Sequence, residues 1–170
     1  MLSLTIRKYM FSPVIKLPII EFETISGIQK KENVVTLFFD GCCKGNPGPG
    51  GAGAVLYKNG EEIWNDSCFV GEKVTNNVAE YTGLIIGMKQ AVQLGIKSLI
   101  VNGDSLLVIR QMKGEFKVSS ENLRELYKSA KILEKSFTVI SYNHVYRKDN
   151  KHADALSNEG LVKTKEAIIL

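Results

Sequence analysis

The stretch VVTLFFDGCCKGNPGPGGAGAVLY, residues 34–57, constrains the fold more than any other part of the chain. Val34, Val35, Thr36, Leu37, Phe38 and Phe39 form a β-branched and aromatic run, the composition of a buried strand. The run predicts a strand that ends on a carboxylate, Asp40. Gly45-Asn46-Pro47-Gly48-Pro49-Gly50-Gly51 then predicts a turn, with a second strand returning over roughly 53–58. A charge at the end of a buried strand is costly unless something pairs with it, and a cation is a natural partner. Gly41 follows at once and has no side chain to keep a ligand's backbone away. The element reads either as one wall of a metal and phosphate site or as a hairpin whose Asp40 is a solvated turn residue.

The remaining elements fall into place around this hairpin. Asn59-Gly60 joins the second strand to a third, over about 61–70. Thr75-Asn76-Asn77 supplies an N-cap for a helix that runs to about Leu94 and stops at Gly95. Gly83 and Gly87 lie one turn apart on that helix, each costing about 1 kcal/mol relative to Ala. Close approach of the helix to a sheet would offset that cost. Residues 98–101 read as a short buried strand, leading to Asn102-Gly103-Asp104-Ser105 and a short helix through Met112. Leu123, Leu126, Tyr127, Ala130 and Leu133 recur at helical spacing after Ser119-Ser120. A fifth strand over 137–145 and a last helix from near Asn150 complete the order βββαβααβα. Three hairpin-linked strands followed by helix-crossed strands predict an α/β fold, a mixed sheet with helices packed on it.

With 170 residues, the chain is long enough for one domain with a real core. Its three cysteines, Cys42, Cys43 and Cys68, are odd in number and include an adjacent pair. They suit neither a disulfide framework nor a zinc site, and they predict a reducing, cytoplasmic setting. No apolar run approaches the ~20 residues of a membrane span, so no membrane partner is expected. Segment 105–152 carries ten basic residues against five acidic ones, which fits a polyanion or a solvated helix face. In residues 1–33, Pro13 and Pro18 interrupt any amphipathic helix built on Arg7, Lys8 and Lys16. A disordered extension is therefore expected there in preference to a targeting peptide. The apolar tail Ala167-Ile168-Ile169-Leu170 is expected to pack on the domain.

Four acids stand where an acid is not the natural local choice. Asp40 and Asp104 are each expected to end a buried strand, Glu80 is expected in the first turn of the long helix, and Asp154 lies in the last helix. Helix N-termini alone account for an acid at Glu80 or Asp154. If the first and fourth strands are parallel neighbours, however, Asp40 and Asp104 share the carboxyl-end edge, where open α/β sheets bind ligands. Clustered carboxylates raise one another's pKa, and a hard divalent cation relieves them. Two such ions about 4 Å apart can activate water and stabilise the leaving oxygen in phosphodiester cleavage.

DGCCKGNPGPGGAGAVLY (40–57), TNNVAEYTGLIIGM (75–88), NGDSLLVIRQMKGEFKV (102–118) and VYRKDNKHADALSNEG (145–160) together resemble the type 1 ribonuclease H family. The match covers about 34–160, in the variant without a long basic protrusion. The resemblance implies a ribonuclease H-like fold: a five-stranded mixed sheet, three antiparallel strands then parallel ones, with helices on both faces. Residues 1–33 would be an extension, 34–160 the ribonuclease H domain and 161–170 a tail. It implies a monomer that cuts the RNA strand of an RNA–DNA hybrid endonucleolytically, leaving 5′-phosphate and 3′-hydroxyl ends.

By the same resemblance, two Mg²⁺ ions, replaceable by Mn²⁺, are held by Asp40, Glu80, Asp104 and Asp154. Asp40 bridges both ions, Glu80 and Asp104 hold the ion near the leaving group, and Asp154 holds the ion that activates water. Backbone groups at Gly41, Cys42 and Cys43 and the side chains of Asn76 and Asn77 would read the RNA 2′-hydroxyls. Asn46 and Thr75 fall where the family contacts the DNA strand, Thr75 at a phosphate. Many members carry a histidine in a loop before the last Asp; here that loop is compressed to Tyr146-Arg147-Lys148-Asp149-Asn150. His144 is expected to be a structural strand residue and His152 a helix surface residue, leaving Arg147 for the loop's function. Leu106 replaces a Gln that contacts the hybrid in many members. Cys42 and Cys43 read as turn residues rather than nucleophiles, and Trp64 as core. The competing reading is a non-catalytic nucleic-acid-binding module, which has no need of four acids facing phosphates.

Overall fold

Strand β1 (Val35–Cys43) alternates, with Val35, Leu37 and Phe39 buried in the core. It pairs antiparallel with β2 (Gly48–Lys58), and β2 pairs antiparallel with β3 (Glu61–Val74). These observations come from a computed structural model that describes residues 34–163. The expectations for 1–33 and for the 167–170 tail lie outside the described residues.

The sequence places the first strand's end three residues too early. Asp40 does not end β1; it lies within the ladder, opposite Gly53, and pairing continues to Cys43 opposite Gly50. Likewise β2 begins at Gly48, inside the segment whose composition predicts a turn. The turn itself is short, closed by the Lys44 N–H donating to the Pro49 carbonyl at 2.9 Å. The glycines serve a packing need instead. Helix α4 (Lys151–Gly160) crosses β2 so closely that a Cβ on Gly53 would lie 2.5 Å from the Ser157 backbone nitrogen. The next hairpin follows the sequence reading: Asn59 and Gly60 both have positive φ, 54° and 86°, as its tight turn requires.

Two parallel strands extend the sheet, β4 (Ser98–Gly103) beside β1 and β5 (Val139–His144) beside β4, giving the order β3-β2-β1-β4-β5. Helix α1 (Asn76–Gln93) covers one face, with α2 (Leu106–Met112) and α3 (Glu121–Glu134) joining the core there. Its interior glycines do allow close approach, since a Cβ on Gly83 would lie 2.5 Å from the Asp40 carbonyl oxygen. Leu37, Phe39, Leu84, Met88, Leu99 and Val101 are fully or almost fully buried in this layer. Tyr81 donates its hydroxyl to Gln111 Oε1 at 2.8 Å, satisfying two buried polar groups. Trp64 packs partly buried against the same core, as expected. Helix α4 packs on the opposite face of β1 and β2, so helices lie on both faces.

The contact at Gly53 yields a stability prediction. Gly53→Ala should destabilise the fold by about 1–3 kcal/mol, because a backbone atom of α4 blocks the added methyl. Urea or thermal denaturation measures this, and an unchanged midpoint would contradict the described seating of α4.

Candidate active site

The parallel pairing of β1 and β4 is in register at Phe39 and Gly103, so the next residue of each strand, Asp40 and Asp104, emerges at the same sheet edge. Glu80 reaches that edge from α1. A Cβ on Gly41 would collide with the Glu80 backbone nitrogen, so only a glycine lets strand and helix meet there. One carboxylate oxygen from each of Asp40, Glu80 and Asp104 lies within 4.8 Å of the others.

Glu80 does not sit in the first turn of α1. Four helical residues precede it, the first turn contains no acid, and the side chain is buried. Its expected helix-terminus explanation therefore fails. Glu80 Oε1 accepts a hydrogen bond from Asn76 Nδ2 at 3.3 Å, while Oε2 is buried without a partner among the described residues.

Asp154 stands apart from this trio. It lies in the first turn of α4, and its Oδ1 accepts from Arg147 Nη2 at 2.5 Å and from Nε at 3.1 Å. Arg147 opens a 3₁₀ turn, Arg147–Asp149, and its side chain is 75% exposed. The structure thus brings three of the four acids together and turns the fourth onto the loop arginine. The ion pair and hydrogen bond with Asp154 strengthen Arg147's hold on its proton.

Two neighbours of the acids escape the sequence reading. Asn150 is buried, and its Nδ2 donates to the Phe39 carbonyl at 2.9 Å and to Asp104 Oδ1 at 3.0 Å. Its position at the α4 N-cap is legible, yet its side chain makes no cap bond: Nδ2 turns to β1 and Asp104, and the buried Oδ1 has no partner among the described residues. Ser157, also fully buried, donates to Asp40 Oδ2 at 2.5 Å. Its only sequence signal is the three-residue spacing from Asp154, which puts both on one helical face.

The residues expected to face a nucleic acid do gather near this edge. Gly41, Cys42 and Cys43 end β1, while Thr75 N-caps α1, accepting from the Val78 N–H at 3.4 Å. Asn46 Oδ1 accepts from the Asn76 N–H at 3.2 Å, joining the β1–β2 turn to the start of α1, where Asn77 follows. Cys42 and Cys43 lie in the strand rather than the turn, and burial pushes both thiols up, so neither is a ready nucleophile. His144 does end β5, but its ring is exposed at the same edge, with Nε2 3.2 Å from the Asp104 carbonyl oxygen. His152 is an α4 surface residue as expected. Its Nδ1 lies 2.7 Å from the Tyr57 hydroxyl, beside a 480 Å³ cleft that Asn102 and Asn150 also line.

Electrostatics single out Asp40 and Glu80. Burial, then the charges of Asp104 and Asp154, push Asp40 up to about 7 against the pull of the Ser157 hydrogen bond. Burial, then the charges of Asp40 and Asp104, push Glu80 up to about 9. The donor set is all hard carboxylate oxygen, and Glu80 Oε2 lacks a partner, so the residues fit a divalent cation such as Mg²⁺.

Residues 38–160 match the family described as Reverse transcriptase-like. The bifunctional protein Rv2228c of Mycobacterium tuberculosis is 41% identical over 128 residues, 75% of this chain. This chain spans about a third of that relative's length, 35%. A ribonuclease H of Dechloromonas aromatica is 33% identical over 151 residues, covering 79% of this chain and 97% of that protein. Among solved structures, LC11-RNase H1 in complex with an RNA/DNA hybrid superposes with a TM-score of 0.71 at 32% identity. That alignment covers 76% of this chain and 98% of the other.

The raised acids also set a pH dependence. Asp40 and Glu80 hold protons more tightly in the folded than in the unfolded chain, so proton uptake favours folding above the ordinary carboxylate range. Without divalent cation, the melting temperature should fall as pH rises through about 7 and towards about 9. Millimolar Mg²⁺ should reverse most of that fall, because it stabilises the ionised trio. Scanning calorimetry in chelator and in Mg²⁺ from pH 5 to 9 measures both; identical curves would count against a cation at the trio.

Proposed function

The chain belongs to the reverse transcriptase-like family, in its type 1 ribonuclease H branch, and from that premise we propose that it is an endoribonuclease that hydrolyses the RNA strand of RNA–DNA hybrids. The observation that carries this reading is the trio Asp40, Glu80 and Asp104, two of them buried and the third half-buried, three acids with too little protein compensation and an orphaned oxygen on Glu80. A non-catalytic binding module would gain nothing from it, since three acids repel a phosphate backbone.

In this reading, Asp40, Glu80 and Asp104, with Asp154 once released from Arg147, would hold two divalent cations, Mg²⁺ or Mn²⁺. Such ions would supply an acidified water and charge neutralisation at the leaving oxygen, giving 5′-phosphate and 3′-hydroxyl products. The protein's own task is placement. Main-chain groups of Gly41, Cys42 and Cys43 and the amides of Asn76 and Asn77 line the approach to the trio, where donors and acceptors can read a 2′-hydroxyl. The Thr75 hydroxyl accepts from Val78 and so keeps its proton for a phosphate oxygen of the DNA strand, with Asn46 beside it. In the structure Arg147 uses two of its five N–H groups on Asp154; released from it, all five are open to a phosphate. A cytoplasmic setting suits the chain, whose three thiols are all free.

A labelled RNA–DNA hybrid, assayed beside matched RNA–RNA and DNA–DNA duplexes with and without Mg²⁺, tests the proposal. Only the hybrid should be cut efficiently, and only with the cation. Folded Asp40→Asn should be slower by at least about a hundredfold, the scale for losing one group that stabilises transition-state charge. Equal cutting of plain DNA, or near-normal turnover by Asp40→Asn, would overturn it.

A further inference from the structure

Ser157 Oγ lies 2.5 Å from Asp40 Oδ2 and 2.9 Å from the Asp154 carbonyl oxygen. Both neighbours accept, and a serine hydroxyl has a single proton, so it serves one of them at a time. A bond to the backbone carbonyl three residues earlier would make Ser157 an ordinary helix serine, satisfied locally. Two observations favour Asp40 instead. The Asp154 carbonyl already receives Asn158 Nδ2 at 2.7 Å. Asp40 is 4% exposed, and once ionised, as a cation ligand must be, its carboxylate accepts a shorter and stronger bond than a neutral carbonyl does.

The hydroxyl is also rigidly placed. Ser157 is fully buried, and its backbone rests on β2 where Gly51 and Gly53 leave no room for side chains. A donor fixed at Oδ2 sets the plane of the Asp40 carboxylate and hence the direction in which its other oxygen points. We propose that Ser157 is a positioning residue for the carboxylate site, holding Asp40 in the one orientation that lets it share a cation with Glu80 and Asp104. The inference rests on the cation-binding reading of the preceding subsection and adds a residue to it. Ser157 would touch neither substrate nor cation; it acts through Asp40.

Titration calorimetry with Mg²⁺ and with Mn²⁺ on the wild-type chain, Ser157→Ala, Ser157→Cys and Asn158→Ala tests this, with kcat and KM on the hybrid measured alongside. Ser157→Ala should bind the cation about tenfold more weakly, the usual scale for losing a partner of a metal-binding side chain. Its kcat at limiting cation should fall by a similar factor, with KM for the hybrid unchanged. Ser157→Cys keeps a weak donor and should fall between Ala and wild type. It also carries the comparison if the alanine variant, checked by circular dichroism, does not fold. Asn158→Ala loses a donor to the same Asp154 carbonyl without touching Asp40, and it should bind the cation as wild type does. Wild-type affinity in Ser157→Ala would overturn the inference alone, as would an equal loss in Asn158→Ala. Absence of divalent-cation binding by the wild-type chain would overturn the cation reading and this inference with it.

Discussion

Mutual repulsion among Asp40, Glu80 and Asp104, three carboxylates within 4.8 Å, is the constraint on which the rest of this structure depends. Each acid receives a side-chain donor from a different residue: Ser157 for Asp40, Asn76 for Glu80 and Asn150 for Asp104. All three donors are neutral. They fix direction and satisfy lone pairs, but they leave the summed charge in place, and burial first, then that charge, make Asp40 and Glu80 hold protons far above the usual carboxylate range. Asp154 alone meets a cationic side chain, Arg147, and it alone lies outside the cluster. The molecule thus neutralises the peripheral acid and leaves the central three in need of a cation from solution.

The architecture follows from that arrangement. Parallel pairing of β1 and β4 delivers two acids to one edge, and the missing side chain of Gly41 lets α1 bring the third. Helix α4, seated on the glycines of β2, brings Asn150, Asp154 and Ser157 on successive turns. The glycine-rich segment is therefore less a loop than a smooth surface for a helix.

This explains what the sequence could and could not reveal. Strand and helix order, the C-terminal stop of α1 at Gly95 and the tight turn at Asn59-Gly60 were legible because each has a local cause in periodicity or backbone conformation. The end of β1 was misplaced because the glycines of 48–53 carry a tertiary role that composition reports as a turn. The sequence places Glu80 one turn too early because nothing local distinguishes the first turn from the second when the cap is a Thr-Asn-Asn run. Asn150 and Ser157 act across the fold on Asp104 and Asp40, 46 and 117 residues away in sequence, and no local pattern marks such contacts. The grip of Arg147 on Asp154 spans seven residues, yet it depends on the 3₁₀ turn, which the sequence does not announce.

The central claim is that the carboxylate edge exists to hold divalent cations against the backbone of a hybrid duplex. Anomalous scattering from Mn²⁺ in crystals of the wild-type chain bound to a cleavage-resistant RNA–DNA hybrid tests it most directly. The account predicts two Mn²⁺ peaks flanking Asp40, about 4 Å apart, with Asp154 turned from Arg147 towards one of them. A duplex bound elsewhere, or a crystal with hybrid in place and no Mn²⁺ at Asp40, Glu80 and Asp104, would contradict it.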